Sequence, residues 1–199
     1  MGPYASIGGR PEDRAFAGER SFAVLEDRVE VRDFGTVHRA TGEGAETRVG
    51  AGSLLMSYAH VSHNGVVGRG VTLTNLVQLG GHVEVGDGAV LGAGAMVHQF
   101  ARIGRMAMLG AAGRANRDVL PFSMARGDPA RHFRSNAVGL ERAGVNASTR
   151  NAIQTALRHL RRGDRAALEA LAQEADEVAE IARFVAESRR GVSAFKGAS

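Results

Sequence analysis

Eleven aliphatic residues recur at intervals of six without a break: Val49, Leu55, Val61, Val67, Leu73, Leu79, Val85, Leu91, Val97, Ile103 and Leu109. Glycine follows the aliphatic at Gly50, Gly68, Gly80, Gly86, Gly92, Gly104 and Gly110, and a small or β-branched residue stands four places after each aliphatic, from Ser53 to Gly113. Ile7, Leu25, Val31 and Val37 keep the register upstream. A helix repeats every ~3.6 residues and a strand every two, so a strict period of six belongs to neither alone. It fits a solenoid of short strands, each ending at a turn. The aliphatic points into a narrow prism and the small residue fills the space beside it. Glycine is expected to take a turn conformation that other residues resist. Three hexads close one triangular coil, which gives a parallel β-helix.

Two stretches interrupt the count, residues 8–24 and 40–48, and read as loops thrown out between coils, where solenoids often handle ligands. The repeat ends near Pro121, so 1–121 is expected to be β-helix and 122–199 a helical C-terminal domain. Residues 133–140 are the transition. Ile153, Leu157 and Leu160 form one apolar stripe. Ala167, Leu168 and Leu171 suggest a second helix capped by Asp164. Val178, Ile181, Phe184 and Val185 mark a third, ending near Gly191.

The repeat also accounts for an odd composition. Glycine supplies 27 of 199 residues, about twice its usual ~7% share, yet collagen is excluded by a proline count of 4. The absence of cysteine removes disulfides, thiol nucleophiles and Cys-type zinc sites. No apolar stretch approaches the ~20 residues of a membrane span and no signal peptide is visible, so a cytoplasmic location is expected. The net charge is +4, with arginine supplying every basic residue except Lys196. A basic balance suits an acidic partner or a phosphorylated ligand. Nucleic acid is not expected, because no binding motif interleaves the few aromatics with the arginines.

The residues that carry chemistry are histidines. His60 and His63 share one coil, outside the inward register. Gly81 lies one coil beyond His63 with His82 beside it, and His98 follows, so four histidines are expected to cluster over about three coils along one side of the prism. Imidazole suits proton transfer near neutral pH. Surface histidines and a metal site are the rival readings; no carboxylate in the sequence obviously completes a metal site, so none is expected.

The segments Asp13-Arg14-Ala15-Phe16-Ala17-Gly18-Glu19, Thr36-Val37-His38-Arg39, Ala59-His60-Val61-Ser62-His63-Asn64, Gly81-His82-Val83, Val97-His98-Gln99-Phe100 and Gly139-Leu140-Glu141-Arg142 together resemble the UDP-N-acetylglucosamine O-acyltransferases, in order and spacing from about residue 4 onward. The resemblance implies a left-handed β-helix and a homotrimer with sites between adjacent prisms. It also implies transfer of an (R)-3-hydroxyacyl chain from acyl carrier protein to the 3-hydroxyl of the sugar, the first step of lipid A biosynthesis. No cofactor is implied beyond acyl carrier protein as co-substrate. His63 matches the family's general base and the Gly81 N–H its oxyanion donor. Asp13, His60, His82 and Gln99 match sugar-nucleotide contacts, and His98, Asn136 and Arg142 match positions around the nucleotide and diphosphate. His38 matches a family histidine, and Ala111 the residue that sets acyl length. Arg158, Arg161 and Arg162 could face an acidic carrier protein.

Four departures bear on this. Ala15 stands where the family usually has lysine, and Asn64 where an acidic residue often follows the base. Val138 and Ala143 replace polar or charged nucleotide neighbours. The chain also starts about three coils inside the family's solenoid pattern. A related enzyme with an amine acceptor, and a degenerate β-helix serving as an assembly module, remain the alternatives.

Overall fold

The structure, a computed structural model, describes residues 1–197. Its strands are mostly two residues long, and every third one stacks on the same sheet. Three parallel sheets result. Face 1 carries Ser6–Gly9, Thr36–His38, His60–Val61, Gln78–Leu79, Met96–Val97 and Arg114–Ala115. Face 2 runs from Phe22–Leu25 to Arg102–Ile103, and face 3 from Glu30–Val31 through Met108–Leu109. Val61, Leu79 and Val97 stack in register on face 1. The expected aliphatics from Val31 onward, with Ala59, Val71, Val77, Val83, Ala89, Ala95, Ala101 and Ala107, form one continuous buried core, against which the partly buried Ile7 and Leu25 pack. With two-residue strands, one side chain enters the prism and its neighbour faces out, so His60, Gln78 and Met96 all present outward on face 1.

The glycine after each aliphatic has a different role from the one expected. Those glycines do not have positive φ. A Cβ on Gly92 would lie 2.4 Å from Ala111 N, and one on Gly104 2.3 Å from Pro121 N, in each case the backbone of the next coil. Close approach between coils excludes a side chain there. The left-handed residue comes two places later and is often not glycine: Tyr58 (φ 63), Asn64 (57), Leu76 (64), His82 (58), Phe100 (64) and Met106 (52) alternate with Gly52, Gly70, Gly88 and Gly94. Such a residue costs about 1–2 kcal/mol, which the repeated coil contacts offset. Gly104→Ala is therefore expected to destabilise by ~3 kcal/mol, an overpacking cost against rigid backbone. Gly94→Ala, with φ +68 and nothing within 4 Å of its Cβ, is expected to cost ~1 kcal/mol. Urea titration of the two variants checks the order.

The sheet continues past Pro121. Ser123–Arg126 pairs in parallel with Met108–Leu109, and Arg131–Ser135 returns antiparallel to it, with Ala125 and Ala130 in the prism core. Strand residues therefore extend to Ser135 inside the stretch expected to be helical. Four helices follow: α1 (Ala137–Arg142), α2 (Ala147–Arg162), α3 (Arg165–Ala172) and α4 (Asp176–Ala186). Asp164 caps α3 by accepting from Ala167 N at 3.1 Å. The last helix stops at Ala186, short of Gly191. Ile153, Leu157, Leu168, Val178 and Ile181 close a second core over Leu120 and Phe122. No helix among the described residues is long and apolar enough to cross a membrane.

His132 joins the chain's end to the prism. It is fully buried; Leu120 N–H donates to its Nε2 at 2.9 Å, and its Nδ1 lies 2.8 Å from Ser193 O. That pairing requires the neutral ring protonated at Nδ1. Burial lowers its pKa from 6.5 to about 4. A group with a depressed folded pKa binds more protons when unfolded. Stability is thus complete above pH ~6.5 and falls by up to ~3 kcal/mol as pH drops toward 4. Melting temperature against pH should show this slope, and His132→Leu should remove it.

Candidate active site

The two interrupting stretches are narrower than expected: the chain between strands is 10–21 and 39–45. They dock on each other. Glu19 Oε1 accepts from Gly42 N at 2.7 Å, Glu43 Oε2 accepts from Arg20 N at 3.1 Å, and Ser21 Oγ donates to Ala40 O at 2.5 Å. The Gly42 N–H, above all, holds the Glu19 carboxyl below its ordinary pKa. Phe16 is buried, with the Arg39 guanidinium 4.9 Å from its ring. This clamp lays Glu12 and Asp13 against the histidines, some 50 residues on in the chain.

At the corner between faces 1 and 2 sit His63, Gly81 and His82. The buried His63 ring lies directly over Gly81: a Cβ there would be 2.5 Å from both Nε2 and Cε1. Asn64 fixes the tautomer. Its Oδ1 accepts from Thr41 N at 3.0 Å and its Nδ2 donates to Thr41 O at 2.9 Å, so the amide cannot turn over. The oxygen thus faces His63 Nδ1, 3.0 Å away, and that nitrogen must carry the proton. The lone pair is left on Nε2. Asn64 N–H itself donates to Thr47 Oγ1 at 2.8 Å, which fastens the turn.

The amide of Gly81 occupies the third position of its hexad, counted from the aliphatic. Two amides at the same turn position elsewhere are held by carboxylates: Ala51 N by Glu26 at 3.1 Å and Arg69 N by Asp87 at 2.7 Å. Gly81 N–H has no intramolecular partner among the described residues. The turn amide can thus hold a negative oxygen, as at Ala51 and Arg69, and what sets Gly81 apart is that its open N–H stands beside an imidazole lone pair.

His82 stands edge-on to His63, with ring centroids 5.3 Å apart, and stacks on Phe100 at 4.7 Å. Desolvation first and His63 second lower its pKa, with Asp13 opposing. Asp13 Oδ1 accepts from Ala15 N at 2.9 Å, and Oδ2 is 3.8 Å from His63 Nδ1. Its carboxyl is held below the ordinary range by the Ala15 N–H first, with His63 and His82 adding to it.

The histidines do not form one cluster. His60 lies round the corner on face 1, edge-on to His38 at 4.8 Å, with its Nδ1 held by Thr36 Oγ1 at 2.7 Å. Burial lowers its pKa, reinforced by His38. It opens on a cavity of about 450 Å³ lined also by Glu12, Gln78, Met96, His98 and Arg114. His82 and Phe100 line a separate, more polar cavity of about 750 Å³ on face 2, with Arg102, Arg189 and Arg190. Glu12 supplies a carboxylate that sequence spacing does not reveal: ligand atoms of Glu12, His38 and His60 lie within 4.8 Å of one another, a set able to hold a cation. Gln99 and His98 follow one coil on and are exposed; His98 Nδ1 is 3.1 Å from Gln99 O.

Three expected site residues lie elsewhere. Ala111 is exposed at the corner between faces 3 and 1, lining a 390 Å³ cavity with Arg126, Arg131 and Phe133. Arg142 is exposed in the last turn of α1. Asn136 is buried; its oxygen accepts from Gly139 N at 3.2 Å and its amide donates to Met106 O at 2.9 Å, so it caps α1 at the corner between faces 2 and 3. Arg158, Arg161 and Arg162 are exposed on α2, and among the described residues none pairs with a carboxylate.

Comparison with known proteins agrees with this architecture. Residues 118–193 match the family described as Udp N-acetylglucosamine O-acyltransferase, domain 2. An acyl-[acyl-carrier-protein]–UDP-N-acetylglucosamine O-acyltransferase from Synechocystis is 41% identical over 162 residues, covering 81% of this chain and 59% of the relative. The chain thus spans about three fifths of that relative's length. One of the same description from Burkholderia thailandensis is 36% identical over 203 aligned positions, covering 96% of this chain and 78% of the relative. The crystal structure of Francisella novicida UDP-N-acetylglucosamine acyltransferase superposes with a TM-score of 0.93 at 29% identity, covering 98% of this chain and 74% of that one. The solenoid is accordingly the left-handed parallel β-helix expected, followed by a helical region. The chain belongs to the UDP-N-acetylglucosamine O-acyltransferase family.

Proposed function

We propose that the protein transfers an (R)-3-hydroxyacyl chain from acyl carrier protein to the 3-hydroxyl of UDP-N-acetylglucosamine, in the cytoplasm, as the first step of lipid A biosynthesis. The observation that carries the reading is His63 Nε2, its lone pair free, beside the unpartnered N–H of Gly81. His63 takes the hydroxyl proton as the sugar oxygen bonds to the thioester carbon. Gly81 N–H donates to the oxygen that becomes negative. The tetrahedral adduct then collapses, the C–S bond breaks, and the imidazolium returns its proton to the departing sulfur. A thioester is reactive enough that this sequence calls for no covalent enzyme intermediate, cofactor or metal. His60, Gln99 and His98 are the sugar-nucleotide side of the site, and the arginines of α2 face the acidic carrier protein.

Asn136, which caps the helix carrying Arg142, lies at a different prism corner from His63, which favours a ligand that meets the two from different copies. We place the site between protomers of a homotrimer for that reason. Mixing inactive His63→Ala with inactive Arg142→Ala under conditions that exchange subunits should then restore a substantial part of the activity. No restoration would place each site within one chain.

The direct test is purified protein with UDP-N-acetylglucosamine and a panel of 3-hydroxyacyl carrier proteins. Medium-to-long chains are expected from the small residue at Ala111, and a preference for C16 or longer would overturn that assignment. A folded protein inactive with every acyl length would favour the assembly-module alternative. Activity confined to an aminated sugar nucleotide would favour the amine-acceptor enzyme.

A further inference from the structure

A general base that becomes imidazolium is helped by an anion at its far nitrogen, and the residue following His63 is a neutral asparagine. Asn64 sets the tautomer but carries no charge to offer. The carboxylate within 4 Å of His63 belongs instead to Asp13, which the clamped loop delivers from another part of the chain. Its Oδ1 is occupied by Ala15 N–H, which leaves Oδ2 facing His63 Nδ1 at 3.8 Å. The other titratable groups against the ring are His82 on the next coil and His60 on the adjoining strand, neither of which supplies negative charge.

We infer that Asp13 is the anionic partner of the His63 imidazolium, a positioning residue acting through Nδ1 from the loop, in place of a charge at position 64. The inference rests on the acyl-transfer reading for its kinetic consequence. The carboxylate side chain is 23% exposed and the imidazole 10%, so the interaction is shielded from bulk water rather than dissipated in it. The neighbouring Ala15 contributes through its backbone N–H, which any residue there would supply.

Asp13→Asn keeps an oxygen for Ala15 N–H and removes only the charge. The expected result is a kcat about tenfold lower, read in single turnover at saturating sugar nucleotide, the scale of one lost charge contact beside the ring. Any rise in KM reports the sugar-nucleotide contact of Asp13 separately. Asn64→Asp added to Asp13→Asn should recover most of the loss in kcat. An unchanged kcat in Asp13→Asn, or a loss confined to KM, overturns the inference. So does a double variant that stays slow, since the loss would then come from an altered loop. An unaltered protein without activity would sink the acyl-transfer reading and this inference with it, whereas an active one whose kcat ignores Asp13 sinks the inference alone.

Discussion

Replacing His63 with alanine is expected to lower kcat by about 10³–10⁴, the upper range for loss of a positioned base, while leaving the fold and assembly intact. The ring lies outside the prism core, and its hydrogen bond is to a side chain already anchored twice on Thr41. The melting temperature should therefore move little. Single-turnover measurement with acyl carrier protein at saturating sugar nucleotide reads the chemical step alone. A residual rate within tenfold of the unaltered protein would mean that His63 is not the base, and would return attention to His82.

Gly81→Ala should be nearly as damaging by a different route. Its Cβ would stand 2.5 Å from His63 Nε2 and Cε1, so the ring must leave its place above the amide. The base and the oxyanion donor lose alignment together, and a loss of about 10²–10³ in kcat is expected, the scale of one misdirected oxyanion contact. Unlike Gly104→Ala, the colliding atoms belong to a side chain rather than to the backbone of the next coil, so stability should fall by under ~1 kcal/mol. Denaturant titration beside the kinetics separates the two. A variant that unfolds early would show that the ring cannot yield.

What the sequence made legible follows from how each signal is stored. The inward aliphatics are local and periodic, and every residue from Val49 to Leu109 in that register is buried. The pairing of His63 with Gly81 was legible too, because one coil is a fixed count of residues. The purpose of the repeat glycines was not. Gly92 and Gly104 are set by backbone approaching from the next coil, whereas the strained turn falls on residues as ordinary as Leu76 and Phe100. Glu12 was missed because its position depends on two loops docking, which no periodicity records. Asn136 accepts from Gly139 N as the cap of α1, a local structural role that a family resemblance does not record. His132 falls outside the repeat and outside any motif; only its burial and two backbone partners give it meaning.

Each hexad divides its labour among its positions: the aliphatic fills the prism, the next residue leaves room for the neighbouring coil, and the third and fourth face outward at the corner. His63, Gly81 and His82 occupy only the last two kinds of place. Heritable change at these places leaves the prism core untouched, although the fourth keeps its demand for a left-handed backbone. A lineage released from selection for turnover could lose its chemistry residue by residue while keeping an intact solenoid. A well-folded solenoid is thus no witness to enzymatic competence, which must be measured separately in every member.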